Sequence, residues 1–149
     1  MADNPSLHVF MVDDDLDDRI IFSNVLDQLG IKPQITFAKQ ANEFFTLLKD
    51  GIMPDVIFLD INMPIMNGKQ VLRDLKSNPE YSSIPVIIIS ASKYEKDIEE
   101  TFETGAHYYL VKPYTNAYFL EAMKRIFVND WKAKPLRPLR EDFLIHVEL

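Results

Sequence analysis

The chain has 149 residues, a formal net charge of −7 and no cysteine. That length suits one domain with a real core, while the acidic balance argues against nucleic-acid binding by general attraction. Without cysteine there are no disulfides, no Cys-ligated zinc and no thiol chemistry.

The start, MADNPSLHVF, lacks the basic lead and apolar run of a secretory signal. No apolar stretch reaches the roughly 20 residues of a membrane span. A cytoplasmic protein with no membrane partner is expected. Residues 1–6 read as a lead, 7–130 as the domain and 131–149 as a C-terminal extension with no separate output domain.

In chain order, a first strand is predicted over 7–12, ending in Asp13, Asp14 and Asp15. Ile21, Val25 and Leu29 then repeat at helical spacing, and Gly30 closes the stretch. A second strand over 34–37 leads to a helix carrying Phe44, Leu47 and Leu48, closed by Gly51. The third strand, 56–59, ends in Asp60, Ile61 and Asn62. Gly68 sits in the turn into a helix with Val71, Leu72 and Leu75. The fourth strand, 86–89, ends in Ser90, Ala91 and Ser92. Ile98 and Phe102 pair on the next helix, which Gly105 closes. The fifth strand, 107–111, ends in Lys112 and Pro113. Phe119, Ala122, Met123, Ile126 and Phe127 form the last stripe.

The runs VFMV, VIFL and VIII are nearly unbroken, which implies burial on both faces and hence a parallel sheet between helices. The pattern is (βα)5: an α/β, doubly wound, five-stranded parallel sheet with helices on both faces and right-handed crossovers. Such sheets bind ligands beyond the carboxyl ends of their strands. Neither GxGxxG nor a P-loop is present, so nucleotide binding lacks its usual support.

The strand ends therefore converge on one rim, bringing together carboxylates, a hydroxyl and the Lys112 ammonium. Carboxylates packed together repel unless a cation joins them. Mg²⁺ suits such a site, because it needs few protein ligands beside water and phosphate. One carboxylate is then placed to attack phosphorus.

The motifs VDDD (12–15), FLDINMPIMNG (58–68), IISAS (88–92) and YLVKPY (109–114) resemble those of the response-regulator receiver family, over roughly residues 7 to 128. The resemblance implies the flavodoxin-like strand order 2-1-3-4-5. It implies that Asp60 is the phosphoacceptor. Asp14 would be a direct Mg²⁺ ligand, Asp13 would act mainly through metal-bound water, and Asn62 would offer its backbone carbonyl. Ser90 and Lys112 would contact the phosphoryl group. Tyr109 would be the switch aromatic, turning inward on activation, with Tyr108 pointing to the opposite face. The Lys112–Pro113 bond would be cis. Asp17 or Asp18 is expected to cap the first helix.

A histidine kinase or phosphotransfer protein is the implied phosphoryl donor. The output is expected through the face of the fourth helix, fifth strand and fifth helix, toward a protein target. The chain is expected to be a switch and not an enzyme beyond its own phosphoryl transfer and hydrolysis. The alternative is a phosphorylation-independent pseudo-receiver that acts as a binding module. A haloacid-dehalogenase-like phosphatase fits poorly, because Asp60-Ile61-Asn62 lacks the second acid of D-x-D and follows the third strand. The extension carries Pro135 and Pro138, several cations, and alternating apolar residues over 143–149. That alternation predicts a short strand, pairing with a sheet edge of its own domain or serving as a homodimer arm. Trp131 is expected to anchor it.

Overall fold

The structure is a computed structural model that describes residues 6–63, 67–112 and 115–146. Its elements are β1 (His8–Val12), α1 (Leu16–Gln28), β2 (Gln34–Ala38), α2 (Ala41–Lys49), β3 (Val56–Asp60), α3 (Gly68–Ser77) and β4 (Val86–Ser90). Then come α4 (Glu95–Thr104), β5 (Tyr108–Val111), α5 (Asn116–Ile126), a 3-10 turn (Trp131–Ala133), α6 (Arg140–Phe143) and β6 (Leu144–Ile145).

One sheet runs β2-β1-β3-β4-β5-β6, with every neighbouring pair parallel. The order of the first five strands is the expected one. The sixth strand is an addition. The tail doubles back so that Tyr109 registers with Leu144 and Leu110 with Ile145, satisfying backbone groups that β5 would otherwise present as an open edge. Of the two placements expected for the tail strand, the described residues take the edge of their own sheet. Val147 and Leu149, which belong to the expected alternation, lie outside the described residues.

Strand alternation divides the core into two layers. Val9, Met11, Phe58, Ile87 and Ile89 pack with α1 and α5. Phe10, Val12, Ile57, Leu59 and Ile88 pack with α2, α3 and α4. Tyr109 belongs to the second layer, whereas Tyr108 meets the Trp131 ring edge-on, 6.1 Å away, beside the first. The face of α1 differs from the expected stripe. Phe22, Val25 and Leu26 are buried and Ile21 is exposed, because the helix turns its Phe22 ring onto Phe58 (4.9 Å) and toward Phe119.

Gly30, Gly51 and Gly105 take positive φ, as C-terminal helix residues of that kind do. Gly68 answers to a different demand. A Cβ there would lie 2.7 Å from the Asp60 carbonyl oxygen and 2.4 Å from the Ile61 Cα, so only glycine lets α3 start so close to the end of β3.

The tail is pinned along its length. Trp131 is buried and donates its indole N–H to the Ile126 carbonyl (3.2 Å), the anchoring role expected of it. Arg137 donates to the Ala106 and Phe102 carbonyls and stacks on the Phe102 ring. Arg140 pairs with Glu95 and Glu99 on α4. Phe143, fully buried, packs edge-on against Phe102 (5.1 Å). The acidic face of α4 is thus substantially engaged by its own chain, with Lys69 bridging Asp97 and Glu100 on its other side.

Candidate functional site

Four strand ends build the site. Asp60 is the last residue of β3 and Ser90 the last of β4, each one residue inside the strand and not just past it. Lys112 follows β5, and its amide donates to the Ser90 carbonyl (2.7 Å). Asp13 follows β1, and its amide donates to the Ala38 carbonyl at the end of β2 (3.0 Å). Pairing with the sheet therefore continues up to the functional side chains and holds their backbones.

The Lys112 ammonium is the hub. It donates to Asp18 Oδ2 (2.5 Å) and Asp60 Oδ2 (2.9 Å) and stands 3.5 Å from Asp13 Oδ2. Asp13, Asp18 and Asp60 place carboxylate oxygens within 4.8 Å of one another. Asp13 and Asp60 are buried. Burial pushes the Asp13 carboxyl up to about 7, with repulsion from Asp60 and Asp18 adding to it and the Asp15 amide and Lys112 pulling the other way. Burial also works against the Lys112 charge, yet Asp18 and Asp60 hold its ammonium above the ordinary lysine range.

This set fits a hard divalent cation. Three carboxylates meet one ammonium, and Asp13 Oδ2 is buried with no hydrogen-bond partner among the described residues. An all-oxygen donor set with a surplus of negative charge is what Mg²⁺ or Ca²⁺ accepts.

Asp18 is the member of the carboxylate cluster that sequence reasoning misses. It was expected to serve as a cap, but Asp15 fills that place. Asp15 is extended at the residue before α1 and accepts the amides of Asp17 (2.8 Å) and Asp18 (3.4 Å). The cap frees the Asp18 side chain to reach Lys112. The available signal was its place in the first turn of a helix that starts at the site. Asp14 is exposed, and its carboxylate is not one of the three that converge.

Asn62 binds the site by its side chain as well as its backbone. Its amide donates to Asp60 Oδ1 (2.9 Å), and its Nδ2 donates to the Ser90 hydroxyl oxygen (2.7 Å). The Ser92 amide donates to that same oxygen (3.0 Å). Tyr109 is fully buried and donates its hydroxyl to the Ser92 carbonyl (2.9 Å), so its ring lies inside the protein here. Burial pushes its phenol up. A cavity of about 230 Å³ opens beside Lys112, with Asp18, Ile21, Ala91 and Phe119 on its walls. Ala91, the small residue after Ser90, lines this cavity. The Lys112–Pro113 bond and the segment 64–66 lie outside the described residues.

The family model described as the response regulator receiver domain matches residues 9–124. Chemotaxis protein CheY-3 of Vibrio cholerae is 32% identical over 127 residues, covering 83% of this chain and 94% of that protein. A response regulator in red light signalling of R. palustris superposes with a TM-score of 0.75 at 26% identity, covering 81% of this chain and 91% of that one. The phosphorylated cyanobacterial phytochrome response regulator RcpA gives a TM-score of 0.75 at 25% identity, covering 82% and 91%.

Proposed function

Because the chain belongs to the response regulator receiver domain family, we propose that it is a phosphorylation switch whose acceptor is Asp60. The observation that carries this is the Asp60 carboxylate, buried at the end of β3 with Lys112 2.9 Å from its Oδ2 and two further carboxylates beside it. The donor is phosphohistidine on a histidine kinase or phosphotransfer protein. An Asp60 oxygen attacks phosphorus, the P–N bond breaks and the imidazole departs. Lys112 shifts from Asp18 onto a phosphoryl oxygen. Ser90 gives up its contact with Asn62 and donates its hydroxyl to another.

Mg²⁺ is the proposed cation. Asp13, Asp18 and Asp60 would hold it, with Asp14 and the Asn62 carbonyl as the ligands the family resemblance adds. Its contribution when bound is to neutralise charge between carboxylates and phosphoryl oxygens. The protein acts as a switch and not as an enzyme on other substrates, and it works in the cytoplasm. Its output runs to a protein target, or to a second copy, through the face of α4, β5 and α5 together with the tail that lies on it. Phosphoryl contacts bias two existing arrangements of that face.

The test is intact mass after incubation with acetyl phosphate, with Mg²⁺ or with chelator. One phosphoryl group should be gained only with Mg²⁺ and lost in Asp60→Asn. Labelling of Asp60→Asn at the wild-type rate would sink the assignment. No labelling of the wild type would leave the pseudo-receiver reading.

A further inference from the structure

At the opposite end of the sheet from Asp60, the tail crosses the start of β5 and borders an open groove of about 450 Å³. Lys76, His107, Lys134 and Arg137 line it, with Ser83 at its rim. In a chain of net charge −7 this is an unusual concentration of cations. None of Lys76, Lys134 or Arg137 forms an ion pair with a carboxylate among the described residues.

The electrostatic neighbourhood agrees. Burial and the Arg137 guanidinium pull the Lys76 ammonium down to about 8. Burial, with Lys76 and Arg137, also lowers His107, against the hydrogen bond to the Pro135 carbonyl. Among the described residues, the charged groups that shift these two side chains are the cations Arg137 and Lys76.

The backbone is shaped to hold this arrangement. Lys134 takes φ of +50°, the only non-glycine residue with positive φ among the described residues. Such a conformation costs roughly 1–2 kcal/mol and persists where its surroundings impose it. Gly105, at φ +118°, closes α4 beside the aliphatic stem of Lys76 in a conformation that side chains rarely adopt. Lys76 spends donors on the Ser82 and Ile84 carbonyls and Arg137 on those of Ala106 and Phe102. An ammonium has three donors and a guanidinium five, so both keep capacity for a ligand.

We propose that this groove binds a phosphate dianion, free or carried on a small organic body, between Lys76, Lys134 and Arg137. Phosphate suits the mixture of a guanidinium and point-charge ammoniums. The volume exceeds that of the dianion alone and lies in the lower range of small-molecule sites. The site is separate from the phosphoacceptor centre. Because Lys134 and Arg137 belong to the tail, occupancy would fasten the tail to α3 and the end of α4.

The test is a titration of the ¹⁵N-labelled full chain in chelator, followed by amide chemical shifts, with inorganic phosphate, ribose 5-phosphate and ribose. The expected result is saturable shifts at Gly105, His107 and Arg137 with both phosphates and none with ribose. Tighter binding of ribose 5-phosphate supports an organic phosphate, and equal binding supports free phosphate. Lys76→Met should weaken binding by about tenfold. Ser83→Asp places a negative charge on the exposed rim, so it should weaken binding comparably while leaving the thermal midpoint near wild type. The proposal is overturned by shifts confined to residues around Asp60, by equal shifts with chloride at matched ionic strength, or by wild-type binding in Ser83→Asp.

Discussion

Phe143 of the tail packs with its ring centroid 6.3 Å from that of Tyr109, tilted 58° to it, and both side chains are fully buried. The aromatic residue expected to report on phosphorylation is therefore in van der Waals reach of the C-terminal extension. Arg140, at the start of α6, simultaneously ties the extension to α4. A rearrangement of Tyr109 has to be accommodated by Phe143.

Phe143→Ala should destabilise the protein by about 3–5 kcal/mol, the usual cost of emptying a buried phenylalanine site. Chemical denaturation with matched far-UV and tyrosine signals checks it. A loss below about 1 kcal/mol would mean that the tail contributes little to the fold.

Lys112→Met should reduce labelling by acetyl phosphate by about 10²-fold, because the ammonium is aimed at the place where phosphoryl charge develops. The rate is read from intact mass against time at saturating Mg²⁺. Unchanged rates would remove Lys112 from the transfer step.

Asp18→Asn should weaken Mg²⁺ binding by about tenfold while leaving the fold intact, since it removes the charge of one of the three converging carboxylates. Calorimetric titration with Mg²⁺ measures it. Wild-type affinity would restrict the role of Asp18 to holding Lys112.

Lys76 sets a pH dependence of stability. Its folded value of about 8 lies below its ordinary 10.5. Between these values the unfolded chain binds more protons than the folded one, so this residue makes stability rise with pH across that window. Its contribution is fully present above 10.5 and lost as pH falls through 8. Urea midpoints from pH 7.5 to 10.5 should climb less steeply in Lys76→Met than in wild type. Parallel curves would mean that Lys76 keeps its ordinary proton affinity.

The central strands and the residues at their ends were legible because burial on both faces writes an unbroken apolar run, as in VIFL and VIII. Turn and cap chemistry marks where each run stops. The positions of Asp60, Ser90 and Lys112 followed from that alone, although Asp60 and Ser90 proved to be the last strand residues. Asp18 was hidden because a carboxylate in the first turn of a helix has an ordinary explanation as a dipole partner. Only the three-dimensional capping by Asp15 releases it. The stripe of α1 was misread because Ile21 and Phe22 are both apolar, and the choice between them depends on where Phe58 and Phe119 lie. The tail was half legible. Alternation over 143–149 announced a strand, but the single turn of α6 at Arg140–Phe143 is too short to leave a periodic signal, and its direction is set by Arg140 finding Glu99.

The added strand also bears on how the molecule behaves among its own copies. Without it, the sheet would end in the four-residue run Tyr-Tyr-Leu-Val, an apolar border with open backbone groups of the kind that recruits other chains into mixed sheets. Leu144 and Ile145 cover part of that border and replace it with a strand only two residues long. The extension thereby works as a sheath, so proteolytic trimming of the tail would bare a sticky sheet border even if the Asp60 site stayed intact.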